Sequence, residues 1–419
     1  MTPRARGADP LPADGRVVVV GASLAGLRAV QGLRDNGFSG SVVLVGEERH
    51  HPYDRPPLSK QVLAGVWPSE RTVLADADAL GALGVDARLG RRAVSLDAEA
   101  RRVTLDDGGV VDADGVVLAS GARPRRLPGT EHHGAVGVVR TLEDAERLRA
   151  TIAASGPGCR VVVVGAGFIG SEVAATCAGL GCRVTVLEAL PTPLAPALGE
   201  EVGAACAALH ARHGVDLRTR AVVDRIGPED PAGTEVALAG GAAVPADVIV
   251  VGIGVVPNAE WLDGSGLAVD NGVVCDDRLF AADGVVAAGD LARWTWRHAG
   301  EERAVRIEHW EVASQMGVAA ARSLLAGRAG AEPFDPVPYF WSDQYGLRIQ
   351  VLGHPDPTDE VAVVDGSLDA GDGKFVALYG RAGRLTAALA VSRPRQLMAF
   401  RPLLAAGAGW DDAVALLGA

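Results

Sequence analysis

The chain carries one order of charged and apolar positions twice: RVVVVGASLAG at residues 16–26 and RVVVVGAGFIG at residues 160–170. In each copy an arginine opens a run of four valines, and a small-residue turn follows before a helical pattern. A valine run without polar alternation predicts a strand covered on both faces, as in a parallel sheet. Glycines after such a strand let the backbone turn sharply and approach a pyrophosphate at the positive end of the next helix. The second copy has Gly165, Gly167 and Gly170 in all three places, with Phe168 and Ile169 between the last two; the first keeps Gly21 and Gly26, with Ser23 in the middle and Ala25 before the last. A further apolar strand ending in acid follows each turn, Glu47 and Glu48 in VVLVGEE and Glu188 in VTVLE. The spacing is close to the roughly 20 residues at which a carboxylate reaches a ribose hydroxyl. Two dinucleotide sites in one chain point to electron transfer between them.

The remaining pattern fills in around these turns. It predicts a helix over 24–36 stopped by Gly37, a strand over 41–46, an alternating hairpin over 93–111 and a buried strand over 115–120. Between them, HPYDRPPLSK at 51–60 has three prolines and an aromatic, read as an extended path that delivers Arg55 and Lys60 to defined places. From residue 160 the order repeats: a helix over 168–180, a strand over 183–188, a helix over 199–213, another hairpin, and a strand over 247–252 ending at Gly252. An apolar run at 285–288 leads into Gly289-Asp290; a helix over 310–325 and a linker over 327–338 follow. Residues 339–419 read as alternating strands and then helices over 396–406 and 411–417, a third domain.

Composition adds bounds. A chain of 419 residues should form two or three domains. It is 48% hydrophobic, yet no apolar run approaches the roughly 18 residues that cross a bilayer. Residues 1–15, rich in proline, glycine and charge, read as a disordered lead-in without a secretion signal, which makes the cytoplasm the expected compartment. The net charge of -12 disfavours nucleic acid as a partner. The five cysteines include no CxxC and no cysteine–histidine spacing suited to zinc, so no metal site is expected.

GASLAG, VGEE, PYDRPPLSK, GARPRRLPG, GAGFIGSEVA, GIGVVPN, AAGDLA, RIEHWEVA and FWSDQYG stand in the order found in the FAD-dependent, NADH-dependent ferredoxin reductases. The chain resembles the putidaredoxin-reductase-like and dioxygenase-reductase-like branch of that family, closely over residues 16–350 and loosely beyond. The resemblance implies an α/β fold of two Rossmann-like nucleotide-binding domains, as in glutathione-reductase-like flavoproteins, with a C-terminal α+β domain. The implied boundaries are 16–122 with 258–331 for a discontinuous FAD domain, 123–257 for the NAD domain and 332–419 for the last. It further implies that Glu47 and Glu48 hold the FAD ribose, that Arg55 and Lys60 meet the pyrophosphate and flavin, and that Asp290 bonds the ribityl chain. Arg125 would reach the FAD, and Glu308, His309 and Trp310 would line the flavin wall, with Trp341 close to the nicotinamide.

Lys60 and Glu172 are the expected catalytic pair. The family places Glu172 beside the flavin with a lysine partner; an ammonium there would stabilise charge arriving with the hydride, and the carboxylate would orient the lysine. Glu188 can accept both ribose hydroxyls of NADH and would repel a 2′-phosphate, and no arginine or lysine follows it until Arg212. Disulfide-reductase relatives carry CxxxxC on the helix of the FAD unit, but no cysteine here precedes Cys159. Cys177 and Cys182 have that spacing on the NAD side, where packing is the expected role. Electrons would then leave the flavin directly. The expected acceptor is a two-iron two-sulfur ferredoxin serving a cytochrome P450 or a ring-hydroxylating oxygenase. Alternatives are an NADH oxidase, a quinone reductase, a rubredoxin or nitrite-system reductase, and an NADH-sensing flavoprotein resembling apoptosis-inducing factor. Monomer and homodimer both remain open. Residues 356–372 hold acids and no base, whereas 374–401 hold bases and no acid; Arg293, Arg297, Arg303 and Arg306 add a second basic cluster. If these bases share a face, they would steer in an acidic ferredoxin.

Overall fold

In a computed structural model, residues 10–228, 234–369 and 371–416 are described. The first nine residues of the expected lead-in and residue 417, where the last expected helix ends, lie outside them. Residues 12–15 are tied down by Gly15 N–H to Pro12 O and by Ser39 N–H to Ala13 O.

Met1–Asp54, Thr72–Arg123 and Val256–Pro336 form one compact unit; Arg55–Arg71, Pro124–Val255 and Val337–Ala419 form another. The first is built on a sheet in the order Phe280–Ala282, Val285–Ala287, Gly115–Leu118, Arg16–Val20, Ser41–Gly46, Val85–Leu89. Its pairings are parallel except the first. Val17, Val18 and Val19 are fully buried, as a strand covered on both faces requires. The helix Leu24–Asp35 buries Leu27, Val30 and Leu33. It lies against the helix Trp310–Gly330 so closely that a Cβ on Gly317 would come 2.3 Å from the Ala25 carbonyl oxygen.

The second unit repeats the scheme with an all-parallel sheet in the order Asp216–Arg218, Arg183–Leu187, Arg160–Val164, Val248–Val251, Val136–Gly137. Joined to it is an antiparallel sheet of Tyr339–Gln344, Leu347–Gly353, Arg384–Val391, Phe375–Arg381 and Glu360–Gly366. One face packs Ile349, Val351 and Leu389 with Leu198, Val202 and Cys206 of the helix Ala195–Arg212, and the other packs Leu352 and Leu378 with Leu397, Phe400 and Leu404 of the terminal helices.

Four local expectations change. Residues 51–60 are not extended throughout: the chain bridges at Tyr53 and then winds into a π-helical turn, Leu58–Val62. Pro57 sits at helical φ/ψ just before that turn, where its missing N–H costs nothing. The helix from residue 310 runs to Gly330 past a kink at Gly327, where φ is 69°, and so takes up the start of the expected linker. The helix expected over 396–406 is two short ones, Pro394–Met398 and Arg401–Ala405. The basic cluster before residue 308 lies on a hairpin, Ala292–His298 with Glu301–Val305, that alternation had not revealed.

Candidate active site

At the first turn, Gly21 has φ +119°, and a Cβ there would fall 2.0 Å from the Ala119 carbonyl oxygen. A Cβ on Gly26 would fall 1.7 Å from the Gly21 carbonyl oxygen, so both positions admit only glycine. Ser23 stands at the N-cap of Leu24–Asp35 in extended conformation without a side-chain cap bond, and no acid lies in the helix's first turn. Side-chain caps do close two other helices: Thr141 and Asp144 form a capping box on Leu142–Ser155, and Asp76 accepts the Ala79 N–H. The first nucleotide helix therefore keeps its N-terminal donors for an anion, which suits a pyrophosphate. Glu48 accepts the Tyr53 hydroxyl at 2.5 Å, and Glu47 is exposed at the strand end. Gly289, distant in sequence, meets the same turn, since a Cβ on it would come 2.9 Å from the Ala25 Cβ, and Asp290 follows it directly.

Glu308, His309 and Trp310 lie at the start of Trp310–Gly330, with His309 as its N-cap. Arg306 donates to the Asp290 carbonyl and pairs with Glu308 at 2.6 Å. The Trp310 indole donates to Asp54 at 2.6 Å, a partner the sequence reading missed.

The second turn has the same skeleton. A Cβ on Gly165, where φ is +98°, would lie 2.4 Å from the Gly252 carbonyl oxygen, and one on Gly170 would lie 2.1 Å from the Gly165 carbonyl oxygen. Gly167 caps the helix Phe168–Gly179 without a side chain. Glu188 folds back on its own turn: Oε2 accepts the Ala166 N–H at 2.7 Å and Oε1 the Leu190 N–H at 2.8 Å. Ile169 is 47% exposed, whereas Phe168 turns inward and meets Phe340 edge to face at 4.7 Å. Arg125 belongs to this second unit, its N–H donating to the Gly254 carbonyl at 2.9 Å. Arginines also stand near Glu188, which sequence distance concealed: Glu188 N–H donates to the Arg218 carbonyl, and the Ala221 N–H to that of Glu188. Arg218 is paired with Asp216.

Lys60 and Glu172 are brought together in the second unit. Lys60 Nζ lies 2.9 Å from Glu172 Oε2, with the two side chains 12% and 3% exposed. Four donors satisfy the carboxylate. Oε2 takes Lys60 and the Ser59 hydroxyl at 2.6 Å; Oε1 takes the Ser342 hydroxyl at 2.8 Å and the Asp343 N–H at 3.1 Å. A buried ion pair survives only when its remaining hydrogen-bonding capacity is filled, as it is here. Trp341, next to Ser342 on Tyr339–Gln344, faces the other way, half-buried against the Tyr339 ring at 6.1 Å.

Several of the bases that sequence runs together are paired in place. Arg293 pairs with Asp270, Arg297 with Asp277 and Glu302, and Arg303 lies 4.9 Å from the Trp296 ring centre. In the later charge step two bases pair with its acids, Arg381 with Asp356 and Asp359 and Arg393 with Asp365. Cys177 sits in the valine core of the second sheet, its thiol pushed up by its hydrogen bond with Cys182 and by burial. All five cysteines are free. Among the described residues no group of His, Cys, Asp and Glu is arranged to hold a metal ion, and no helix is long and apolar enough to cross a membrane.

Two sheets with parallel central strands, each opening through a glycine turn onto an uncapped helix with an acid at the neighbouring strand end, define a protein that holds two dinucleotides. The chain belongs to the pyridine nucleotide-disulphide oxidoreductase family, whose pattern matches residues 15–317, and a reductase C-terminal domain matches residues 339–416. It is 40% identical to the anthranilate 1,2-dioxygenase system ferredoxin–NAD(+) reductase component of Burkholderia cepacia, over 93% of this chain and 94% of that one. It is 37% identical to putidaredoxin reductase of Pseudomonas putida, over 91% and 90%. The crystal structure of the covalent putidaredoxin reductase–putidaredoxin complex matches with a TM-score of 0.87 at 33% identity, over 94% of each chain.

Proposed function

We propose that this chain is an NADH:ferredoxin oxidoreductase carrying FAD, which passes electrons to a small two-iron two-sulfur ferredoxin that serves an oxygenase or a cytochrome P450. The observation that carries the proposal is the pair of matching glycine turns, each with helix donors left open for a pyrophosphate and a carboxylate at the adjoining strand end. The named relatives support the choice of acceptor. FAD at the first turn and NADH at the second would supply a hydride acceptor and a hydride donor. The N–H groups after Gly21 and Ser23 hold one pyrophosphate and those after Gly165 and Gly167 the other, while Glu47, Glu48 and Glu188 take ribose hydroxyls. Asp290, which follows the Gly289 that meets Ala25, would accept a hydroxyl of the same cofactor. Glu172 holds the Lys60 ammonium in place at 2.9 Å, and an ammonium beside the flavin would stabilise the negative charge that arrives with the hydride. No cysteine lies in the helix after the first turn, so no thiol stands in the electron path.

The test is NADH-driven cytochrome c reduction by the purified protein, with and without added two-iron two-sulfur ferredoxins. The rate should depend on ferredoxin and be higher with NADH than with NADPH. A rate unaffected by every ferredoxin tried would contradict the assignment.

A further inference from the structure

We propose that Ser342 is a positioning residue for the Lys60–Glu172 pair, so that the C-terminal sheet fixes the carboxylate on which hydride transfer relies. The inference rests on the reading of that pair given above. A glutamate's terminal torsion is soft and roughly two-fold, so an ion pair on one oxygen alone leaves the carboxylate plane free to rock. Here the second oxygen is clamped from the opposite side by the Ser342 hydroxyl and the Asp343 N–H, both from the strand Tyr339–Gln344.

The serine is itself aimed. Its side chain is fully buried, and its oxygen accepts the Gln344 amide at 3.1 Å, which leaves the hydroxyl proton directed at Glu172. The strand is held at both ends of this contact. Phe340 meets Phe168 edge to face, and the Tyr345 hydroxyl bonds His210 Nδ1 at 2.6 Å. The two registers match. Phe168 and Glu172 are one helical turn apart, about 6 Å; Phe340 and Ser342 are alternate strand residues, between six and seven ångströms apart. One residue of each pair packs and the other bonds. On the same helix face a further turn along, the Thr176 hydroxyl donates to the Ser59 carbonyl at 2.8 Å, fixing the segment that supplies the other two donors. Glu172 is thus gripped by the turn that bears Lys60 and by a strand more than a hundred residues further along the chain.

The experiment uses the FAD-loaded full chain and follows flavin bleaching by NADH in anaerobic stopped flow. Ser342→Val and Ser342→Thr are near-isosteric and differ chiefly in the hydroxyl. The limiting reduction rate should fall about tenfold in Ser342→Val and stay within about twofold of the parent in Ser342→Thr, with the NADH dissociation constant unchanged in both, since a bond to a charged group is worth more than a neutral one. Equal rates in the two variants would overturn the proposal. Should Ser342→Val fail to take up FAD, Gln344→Met removes the donor that aims the hydroxyl and should slow reduction about threefold; an unchanged rate there would overturn it equally. Lys60→Met and Glu172→Gln in the same assay separate the two levels. If they reduce at the parental rate, the reading of the pair is wrong; if they slow while Ser342→Val and Ser342→Thr agree, only the role of Ser342 is.

Discussion

The two nucleotide turns share a sequence and differ in how their acids are held. At the second, Glu188 bonds the Ala166 and Leu190 N–H groups, so the carboxylate braces the turn that precedes it. At the first, Glu48 is held by the Tyr53 hydroxyl and Glu47 stands exposed, so the brace comes from the segment leading to Lys60. The middle position differs too: Ser23 in one, Gly167 in the other, each at an uncapped helix start. What is invariant between the copies is steric. The first and third glycines meet backbone carbonyls at distances no Cβ tolerates, whereas a Cβ on Gly167 would meet only the Gly252 carbonyl oxygen at 4.0 Å. The glycines that shape the turn are therefore distinct from the middle one, where the backbone leaves room for a side chain.

That distinction breaks cleanly under substitution. The largest effect should come from Gly26→Ala and Gly170→Ala, each placing a methyl within 2.1 Å of a carbonyl oxygen. Gly26→Ala should yield protein without a flavin spectrum, and Gly170→Ala a yellow protein that NADH no longer bleaches; absorbance with and without NADH distinguishes them. A smaller effect should separate the units by pH. His210 in the second unit is fully buried, and burial, with a minor contribution from His213, lowers its pKa to about 4. Its folded value lies below the unfolded one near 6.5, so as pH falls through that window the unfolded chain takes up a proton that the folded chain refuses. The second unit should lose stability as the pH drops from about 6.5 towards 4, at about 1.4 kcal/mol per pH step of one, and His210→Gln should flatten the slope in thermal melts. The smallest effect should be the exchange of middle residues: Ser23→Gly and Gly167→Ser should both fold with stability within about 0.5 kcal/mol of the parent and keep both nucleotides.

Which parts of this were legible in sequence follows from how local their causes are. The valine strands, the glycine turns and Glu188 are set by neighbours within one βαβ unit, and the periodicity gave them within a residue or two. The helix Leu142–Ser155 was missed although Thr141 and Asp144 spell out its capping box. The winding at Leu58–Val62 was misread because proline restricts φ equally well for extended chain and for a first helical turn. Ser59, Ser342 and Asp54 stand inside blocks that the sequence singles out, but their individual roles were hidden, since each acquires its meaning from a partner far along the chain. The charge runs misled for the same reason: pairing across strands brings Arg381 to Asp359, so what reads as a patch is in part an internal set of ion pairs.

One titration bears on the whole account most directly. The FAD-loaded protein is bleached anaerobically with about one equivalent of NADH, and oxidised two-iron two-sulfur ferredoxin is then added stepwise. The expected result is return of the oxidised flavin spectrum after about two equivalents, one electron to each cluster. A protein that takes up no FAD, or a flavin that stays bleached in the presence of every such ferredoxin, would contradict it.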